Sequence, residues 1–187
     1  MSRPKAGSLR VVSGSARGVR LTTPPGSATR PTADRVRQAV FNALESRGAV
    51  EDAVVFDAFA GSGALAFEAL SRGARHATLV EVDPAARRAI ATNAEVTGFA
   101  DRVRVIAGAG ERAVAEGRWD LVLLDPPYDY DRWPELFEAL CPWLNPDAVV
   151  VIESDREVDV EPHLGVIWTR RYGGTVVTFA VPPGAPE

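Results

Sequence analysis

The 187-residue sequence has little cysteine, no long apolar run and no apolar segment near its start. Its single cysteine, Cys141, excludes an internal disulfide and a cysteine-based metal cluster. No apolar run approaches the roughly 18 residues that a membrane-spanning helix needs. Residues 1–7 also lack the apolar core of a signal peptide. These absences predict a cytoplasmic protein without a metal site or a membrane segment.

The composition still provides for one buried core, because 46% of the residues are hydrophobic. We expect residues 1–30 to form a basic N-terminal extension with a β-hairpin, and residues 31–182 to form the main domain. Residues 183–187 are rich in proline and are expected to form a flexible tail. Nothing in the sequence requires more than a monomer.

Charge is distributed unevenly along the chain, although the formal net charge is only −4. Residues 1–50 hold nine basic and two acidic side chains, so acidic residues predominate in the remainder. A basic segment on an acidic body indicates a local contact with a polyanion. The candidates for contact with phosphate groups are Arg10, Arg17, Arg20, Arg30 and Arg35. A solvated segment without a partner is the alternative, and for the last two a contact within the protein is another.

Strand-like and helix-like patterns alternate along most of the chain. Strands are expected at 53–56, 77–80, 103–106, 121–124 and 148–152, and helices at 64–70, 84–96, 111–116 and 133–140. An earlier helix is expected to follow an N-cap at Thr32 and to end near Gly48. Two hairpins are also expected, from residues 9–12 with 18–22 and from 166–168 with 175–179. The alternation predicts an α/β fold, a doubly wound, mostly parallel, Rossmann-like sheet with a terminal antiparallel strand.

The predicted strand at 121–124 stops abruptly at Asp125-Pro126-Pro127-Tyr128, which we call the elbow. A proline has no N–H to donate and has its φ angle fixed near −65°. The strand therefore ends in a stiff turn that carries a carboxylate and an aromatic ring. Open α/β sheets bind their ligands at the carboxyl ends of strands, so the elbow is a candidate site as well as a candidate plain turn.

The first predicted strand leads into a loop with glycines at positions 61 and 63. Such a loop lets the backbone approach a ligand closely. Glu81 ends the next strand, where a carboxylate can accept hydrogen bonds from ribose hydroxyls. The glycine spacing also satisfies a loose dinucleotide fingerprint, so an NAD-binding oxidoreductase is a rival interpretation. Asp57 at the strand tip argues against this rival, because a carboxylate there favours a cationic group over a pyrophosphate.

Asp57, the two glycines, Glu81 and the elbow follow one another in the order seen in class I S-adenosylmethionine-dependent methyltransferases, which this chain resembles. The resemblance implies S-adenosyl-L-methionine as the cofactor. It implies cofactor contacts from Asp57, Phe59, Gly61, Ser62, Gly63, Glu81, Val82, Asp83 and Ala109. Many such enzymes have an acid after the third strand, near the cofactor adenine, where this chain has Ala107-Gly108-Ala109-Gly110.

A narrower resemblance comes from residues 30–37, Phe59–Leu65 and Glu68–Arg72. These segments resemble the bacterial 16S ribosomal RNA guanine-N2 methyltransferases of the RsmD family. The resemblance implies methylation of one guanine, of the guanine-966 type, in the 16S RNA of the small ribosomal subunit. A DNA adenine-N6 enzyme, a protein glutamine-N5 enzyme and an inactive RNA-binding factor remain alternatives. The DNA enzymes usually carry a separate target-recognition domain, and the glutamine enzymes favour Asn where this chain has Asp125.

The elbow has a clear chemical role within this resemblance. The Asp125 carboxylate and the Pro126 carbonyl are expected to accept the two N–H bonds of an exocyclic amine, and Tyr128 is expected to stack on the base. Pro127 completes the expected catalytic set. Glu153 is a candidate second acid, and Trp133 is a candidate border of the base pocket. His76, His163 and Cys141 are expected to have structural roles.

Overall fold

The computed structural model describes residues 9–24 and 31–184. Within these two stretches the strands are β1 (Val54–Asp57), β2 (His76–Glu81), β3 (Val103–Ala107), β4 (Trp119–Leu124), β5 (Leu144–Ser154), β6 (Gly165–Tyr172) and β7 (Thr175–Val181). The helices are α1 (Pro31–Glu45), α2 (Ala64–Ser71), α3 (Pro84–Thr97), α4 (Gly110–Ala113) and α5 (Trp133–Leu140). Short 3-10 helices lie at Ala100–Arg102, Val114–Glu116 and Cys141–Trp143.

The strands form one sheet in the order β3-β2-β1-β4-β5-β7-β6. The first five of these are parallel, and β7 runs antiparallel to both of its neighbours, β5 and β6. The predicted fold class is therefore confirmed, including the terminal antiparallel strand. The strand order reverses between β1 and β4, and this is the point where such sheets bind ligands.

The sheet is buried on both faces because its apolar residues alternate between two cores. Val55 points into a core shared with α1, α2 and α3, and its neighbour Phe56 points into a core shared with α4 and α5. Both side chains are fully buried. Buried strands of this kind read as continuous apolar runs, which is why the sequence indicated them so clearly. No described helix has the length and apolar character needed to cross a membrane.

Residues 9–24, the N-terminal segment, lie against the body of the protein. The expected hairpin is short: Arg10 and Arg20 form an antiparallel bridge, Leu21 N–H donates to the Leu9 carbonyl at 2.9 Å, and Val11 N–H donates to the Val19 carbonyl at 3.1 Å. Leu9 and Leu21, on either side of that bridge, are buried in the same core as α1 and α2. The turn of this hairpin packs on α2, where Ala16 N–H donates to Ser71 Oγ at 2.9 Å. The segment is thus a short hairpin that packs on the body of the protein.

The predicted start of the first helix differs from the structure. Helix α1 begins at Pro31, so Thr32 lies inside the first turn and the prediction of Thr32 as N-cap was wrong. A proline suits the first helical position, because its N–H would have no partner there and its φ is already helical. The expected domain boundary between residues 30 and 31 adjoins the undescribed residues 25–30 and stays a prediction. The expected tail at 183–187 also stays a prediction and lies partly outside the described residues.

A buried carboxylate holds the N-terminal segment against α1 and α2. Glu68 is fully buried and accepts hydrogen bonds from the N–H groups of Val12 at 2.7 Å and Ser13 at 3.0 Å. It also forms a 2.7 Å ion pair with Arg72 and a 3.6 Å contact with Arg37. We call these residues the Glu68 cluster. Because a buried charge without partners is costly, the cluster makes the position of the segment specific.

Candidate active site

A cavity of about 1120 Å³ opens at the carboxyl ends of the central strands. One end, the glycine-loop end, is lined by Phe59, Gly61, Ser62, Glu81, Val82, Ala109 and Glu111. The other end, the elbow end, is lined by Asp125, Pro126, Pro127, Tyr128, Glu153, Arg37, Tyr172 and Thr175. The fold therefore brings most of the predicted cofactor residues and all four elbow residues into one continuous space.

The glycine loop is shaped by two glycines with different roles. Gly61 has φ +54°, and a Cβ added there would meet no atom within 4 Å, so the backbone lies open to the cavity. Gly63 has φ +79°, and a Cβ there would lie 2.6 Å from the Phe67 ring. Gly63 consequently serves the packing of α2 and does not line the cavity, whereas Gly61 leaves room for a ligand.

Glu81 fixes the loop while facing the cavity. Its Oε2 accepts the Gly61 N–H at 2.7 Å, and its Oε1 accepts the Asp83 N–H at 2.8 Å. Asp83 itself caps α3 by accepting the Ala85 N–H at 2.9 Å and does not line the cavity. The predicted cofactor contact of Asp83 stays a prediction, and the structure shows its side chain as a helix cap.

The N-terminal segment forms part of the wall at this end. Leu9, Thr23 and Pro24 line the cavity. The buried Asn93 joins the segment to the glycine loop, because its Oδ1 accepts the Thr22 N–H at 2.7 Å and its Nδ2 donates to the Ser62 carbonyl at 2.9 Å. Sequence reasoning placed this segment on the RNA side alone and missed its contribution to the cavity.

The wall after β3 is formed by closely packed backbone. A Cβ at Gly110 would lie 2.8 Å from the Ala58 Cβ, so this backbone packs directly against the loop after β1. Glu111 supplies an acid one residue beyond the stretch where none was expected. Its Oε1 accepts the Tyr130 hydroxyl at 2.6 Å and lies 3.5 Å from the Arg132 guanidinium. The cavity thus contains an acid at this wall, already engaged by the loop that follows the elbow.

Asp57 lies buried at the end of β1, where the backbone amides of Phe59 and Ala66 are near its carboxylate but form no hydrogen bond of good geometry with it. Burial, followed by repulsion from Asp125, raises the Asp57 pKa to about 7, although nearby backbone amides oppose the rise. An unpartnered buried carboxylate is costly unless a positive charge compensates for it. The site therefore fits a ligand that carries a cationic group.

Asp125 faces the open cavity, and the surrounding walls enclose it. This enclosure raises the Asp125 pKa to about 6, so the carboxyl is mainly ionised at neutral pH. Arg156, two residues after β5, holds the backbone of the elbow and of the loop that follows it. It donates to the carbonyls of Tyr128 at 2.9 Å and Tyr130 at 3.1 Å. The Tyr128 ring is 45% exposed, which leaves its face open to a ligand. The elbow is thus a rigid acceptor beside an accessible aromatic surface.

Three further residues line the elbow end. The sequence analysis named Glu153 only as a candidate second acid and did not predict Arg37 or Tyr172. Glu153 lies near the end of β5 and follows an apolar run just as Asp125 does, so the signal was present in the sequence. Arg37 is buried and lines the cavity from α1, although Arg35, two positions earlier on the same helix, is exposed. Tyr172 arrives from the β6–β7 hairpin, and no sequence signal placed that hairpin at the cavity.

The remaining predicted residues are distributed as follows. Arg17, Arg20 and Arg35 are exposed, whereas Arg10 is half-buried and donates to the Gly18 carbonyl at 3.1 Å. Arg30 lies outside the described residues. Trp133 is buried and does not line the cavity, so the suggestion that it borders the pocket was wrong; its neighbour Tyr130 lines it instead. Among the described residues, no group of three or more His, Cys, Asp or Glu side chains is arranged to hold a metal ion.

Comparison with known proteins gives a consistent result. The sequence profile of the family described as conserved hypothetical protein 95 matches residues 9–181. The chain is 36% identical to the ribosomal RNA small subunit methyltransferase D of Escherichia coli, over 81% of this chain and 77% of that protein. It is 34% identical to YlbH of Bacillus subtilis, over 91% of this chain and 97% of that protein. The solved structure of yhhF from Escherichia coli superposes with a TM-score of 0.82 at 34% identity, over 94% and 98% of the two chains.

Proposed function

The chain belongs to the family described as conserved hypothetical protein 95, the RsmD family indicated by its sequence, and we propose that it methylates the exocyclic N2 of one guanine in 16S ribosomal RNA. The methyl donor is S-adenosylmethionine, and the partner is the small ribosomal subunit in the cytoplasm. The observation that carries the proposal is a single cavity that joins the glycine loop, Glu81 and the elbow. The relative in Escherichia coli that is named a ribosomal RNA small subunit methyltransferase supports the choice of substrate.

The residues at the glycine-loop end suit this cofactor. Glu81 is placed to accept hydrogen bonds from ribose hydroxyls, and the open backbone at Gly61 leaves space beside it. Asp57 provides the negative charge that a sulfonium and an ammonium group require. The bound cofactor supplies an electrophilic methyl group, and the chain's own residues orient the nucleophile toward it.

A guanine amine is a poor nucleophile, because its lone pair is delocalised into the ring. The Asp125 carboxylate and the Pro126 carbonyl accept its two N–H bonds and thereby direct the lone pair toward the methyl group. Such positioning contributes several kcal/mol to the lowering of a barrier. After transfer, the charged nitrogen loses a proton to the Asp125 carboxylate. Stacking of the base on Tyr128 contributes about 1–3 kcal/mol.

Asp57→Asn tests the role of the buried charge at the glycine-loop end. Folding raises the Asp57 pKa from 3.8 to about 7, so the folded state holds this proton more tightly than the unfolded state. The free energy of unfolding therefore falls as the pH rises through this window, and Asn removes that loss. We expect the ligand-free variant to be more stable than the wild type at pH 8, with a smaller difference at pH 5, as measured by urea unfolding.

The same substitution is expected to weaken S-adenosylmethionine binding by about tenfold or more, because a buried charge-assisted contact is lost. Isothermal titration calorimetry measures this affinity. Asp101→Asn, which alters an exposed acid in a short 3-10 helix, is the matched control. Unchanged affinity in the Asp57 variant would contradict the assignment of Asp57 to the cofactor site.

Arg17 and Arg20 are proposed to contact RNA phosphates. Deleting residues 1–22 is a poor test, because residues 9–22 contribute to the core. Arg17→Gln with Arg20→Gln removes two exposed charges and leaves the buried side chains intact. We expect weaker binding to 16S RNA in filter-binding assays, and a slope of log affinity against log salt that is smaller by about 1 to 2.

Arg75→Gln is the control for this pair, since Arg75 is exposed and precedes β2 at the end of the sheet opposite the cavity. A salt slope that is equal in the double variant and the wild type would contradict a phosphate contact at these positions. A slope that falls equally in the control would show that any lost arginine has the same effect, and would also contradict the assignment.

The decisive experiment for the function offers three substrates with labelled S-adenosylmethionine: undermethylated small subunits, free 16S RNA and duplex DNA. Mass spectrometry of the nucleosides is expected to find N2-methylguanine in the ribosomal substrate. N6-methyladenine in the DNA, or no transfer to any nucleic acid, would contradict the proposal. Calorimetry with NAD in place of S-adenosylmethionine tests the oxidoreductase alternative, and we expect no binding.

A further inference from the structure

Three acidic residues lie at the carboxyl ends of neighbouring strands, and the mechanism above uses only two of them. Asp57 ends β1, Asp125 follows β4, and Glu153 lies near the end of β5. Leu124 is in register with Ile152, so Asp125 and Glu153 are the next pair along the two strands. Asp125 and Glu153 lie two residues after Leu123 and Val151, so their side chains are on the same face of the sheet as those two. Leu123 and Val151 belong to the core on the α1 side. Glu153 is therefore the side chain next to Asp125 on the elbow side of the cavity.

The surroundings of Glu153 leave its carboxyl available. The Glu153 side chain lines the cavity and makes no hydrogen bond or ion pair within the described part of the chain. The cation that faces it, Arg37, is already engaged: its Nη2 donates to the Arg10 carbonyl at 2.6 Å and to Asp34 at 3.0 Å. A side chain placed in a cavity wall without a partner is suited to pair with whatever enters the cavity.

The charged groups around Glu153 favour its neutral form. They are Asp125 after β4, Asp57 at the end of β1 and Arg37 on α1. Burial and the negative charge of Asp125 raise the Glu153 pKa to about 8, and Arg37 opposes this only in part. Two adjacent acids in one enclosed site do not both ionise readily, so Asp125 is ionised first and Glu153 retains its proton. A neutral carboxyl has one donor, the O–H, and one acceptor, the carbonyl oxygen.

Guanine presents a matching pair of groups beside its amine. Along its Watson–Crick edge the N2 amine is followed by the N1–H donor and then by the O6 acceptor. With N2 held by Asp125, the next two groups lie toward the neighbouring side chain, and enzymes read an everted base through this edge. Resting on the function proposed above, we infer that Glu153 determines the choice of base: its carbonyl oxygen accepts the guanine N1–H, and its O–H donates to O6.

The other bases with an exocyclic amine do not satisfy both groups. Adenine, held by its N6 amine, presents the N1 acceptor and then a C2–H, so the carbonyl of Glu153 has no donor. Cytosine, held by its N4 amine, presents two acceptors in succession, N3 and O2, and the second faces the carbonyl oxygen unfavourably. A polar group that is left without a partner in an enclosed site gives strong discrimination. Glu153 thus completes a reading of guanine that Asp125 begins.

Two substitutions test whether Glu153 recognises the base through a neutral carboxyl group. Glu153→Gln keeps one donor and one acceptor in nearly the same places, whereas Glu153→Ala removes both. We expect kcat/KM for methylation of undermethylated small subunits to stay within about threefold for Gln and to fall by about 100-fold for Ala, as expected from the loss of two hydrogen bonds. Glu157→Ala, at an exposed glutamate four residues further on, is the control and is expected to match the wild type.

A pH profile provides a second measurement that does not depend on the Ala variant. The wild-type rate is expected to fall above about pH 8, as Glu153 ionises and loses its donor, and the Gln variant is expected to lack this fall. Calorimetry with S-adenosylmethionine verifies that each variant is folded and binds the cofactor.

The outcomes are distinguishable. A Gln variant as impaired as the Ala variant, an Ala variant as active as the wild type, or identical pH profiles for wild type and Gln would each overturn the role of Glu153 while leaving the proposed function in place. If the wild-type chain transfers no methyl group to ribosomal RNA, the proposed function fails, and this inference fails with it.

Discussion

Asp125→Ala is expected to lower methyl transfer to the small subunit by about 1000-fold or more while leaving S-adenosylmethionine affinity within about threefold. In the proposed mechanism the carboxylate orients the amine and stabilises the charge that develops on nitrogen, and loss of one such group commonly costs about 100- to 1000-fold in rate. Alanine also removes the site that takes the proton from the methylated nitrogen. Cofactor affinity is spared because Glu81 and the glycine loop lie at the other end of the cavity. Transfer of labelled methyl groups and calorimetry measure the two effects separately.

Two further variants control this prediction. Asp129→Ala alters an exposed acid four residues along the same loop and is expected to retain wild-type activity. Asp125→Asn keeps one oxygen acceptor and is expected to retain more activity than Ala. It also removes a negative charge that raises the Asp57 pKa, so this pKa is expected to fall. Methyl transfer by the Ala variant within about tenfold of the wild type would contradict the central role of Asp125.

Glu68→Ala is expected to lower the free energy of unfolding by about 3–5 kcal/mol, because it removes the fully buried partner of two buried guanidinium groups, which keep only the partly exposed carboxylates of Glu45 and Asp34. Arg72 loses its 2.7 Å partner, and Arg37 loses the carboxylate at 3.6 Å. The N–H groups of Val12 and Ser13 also lose their acceptors. Urea unfolding followed by circular dichroism measures the change.

The matched control is Glu95→Ala, which alters an exposed glutamate on α3 and is expected to change stability by less than about 0.5 kcal/mol. Because the N-terminal segment lines the cavity, the Glu68 variant is also expected to bind S-adenosylmethionine more weakly. A loss of stability equal to that of the control would show that the Glu68 cluster does not hold the segment in place.

The sequence allowed the parallel part of the fold and the central site residues to be predicted, for one physical reason. Strands buried on both faces are continuous apolar runs, and each run ended in a residue that breaks the pattern, such as Asp57, Glu81 or Asp125. Parallel strands end at the same edge of a sheet, so these three residues were expected to meet without any knowledge of loop conformations.

The parts that were missed depend on contacts between distant segments. Arg35 and Arg37 differ by two positions on one helix, and only packing against α2 determines that the second is buried. The charge count described the N-terminal segment only as basic, although its backbone N–H groups bond to Glu68 and Ser71 in α2 and its apolar residues join the core. Similarly, Tyr172 reaches the cavity because β7 lies between β5 and β6, an arrangement that hairpin spacing alone does not predict.

The position of β7 has a consequence for how the protein forms during synthesis. This strand pairs with both β5 and β6, so the sheet described here cannot close until residue 181 has been added. Chains are made from the N-terminus, and the glycine loop and the elbow therefore exist well before the wall that contains Tyr172. The nascent chain completes the elbow end of its cavity last, and a ribosome must add residue 181 before the cavity has all of its walls.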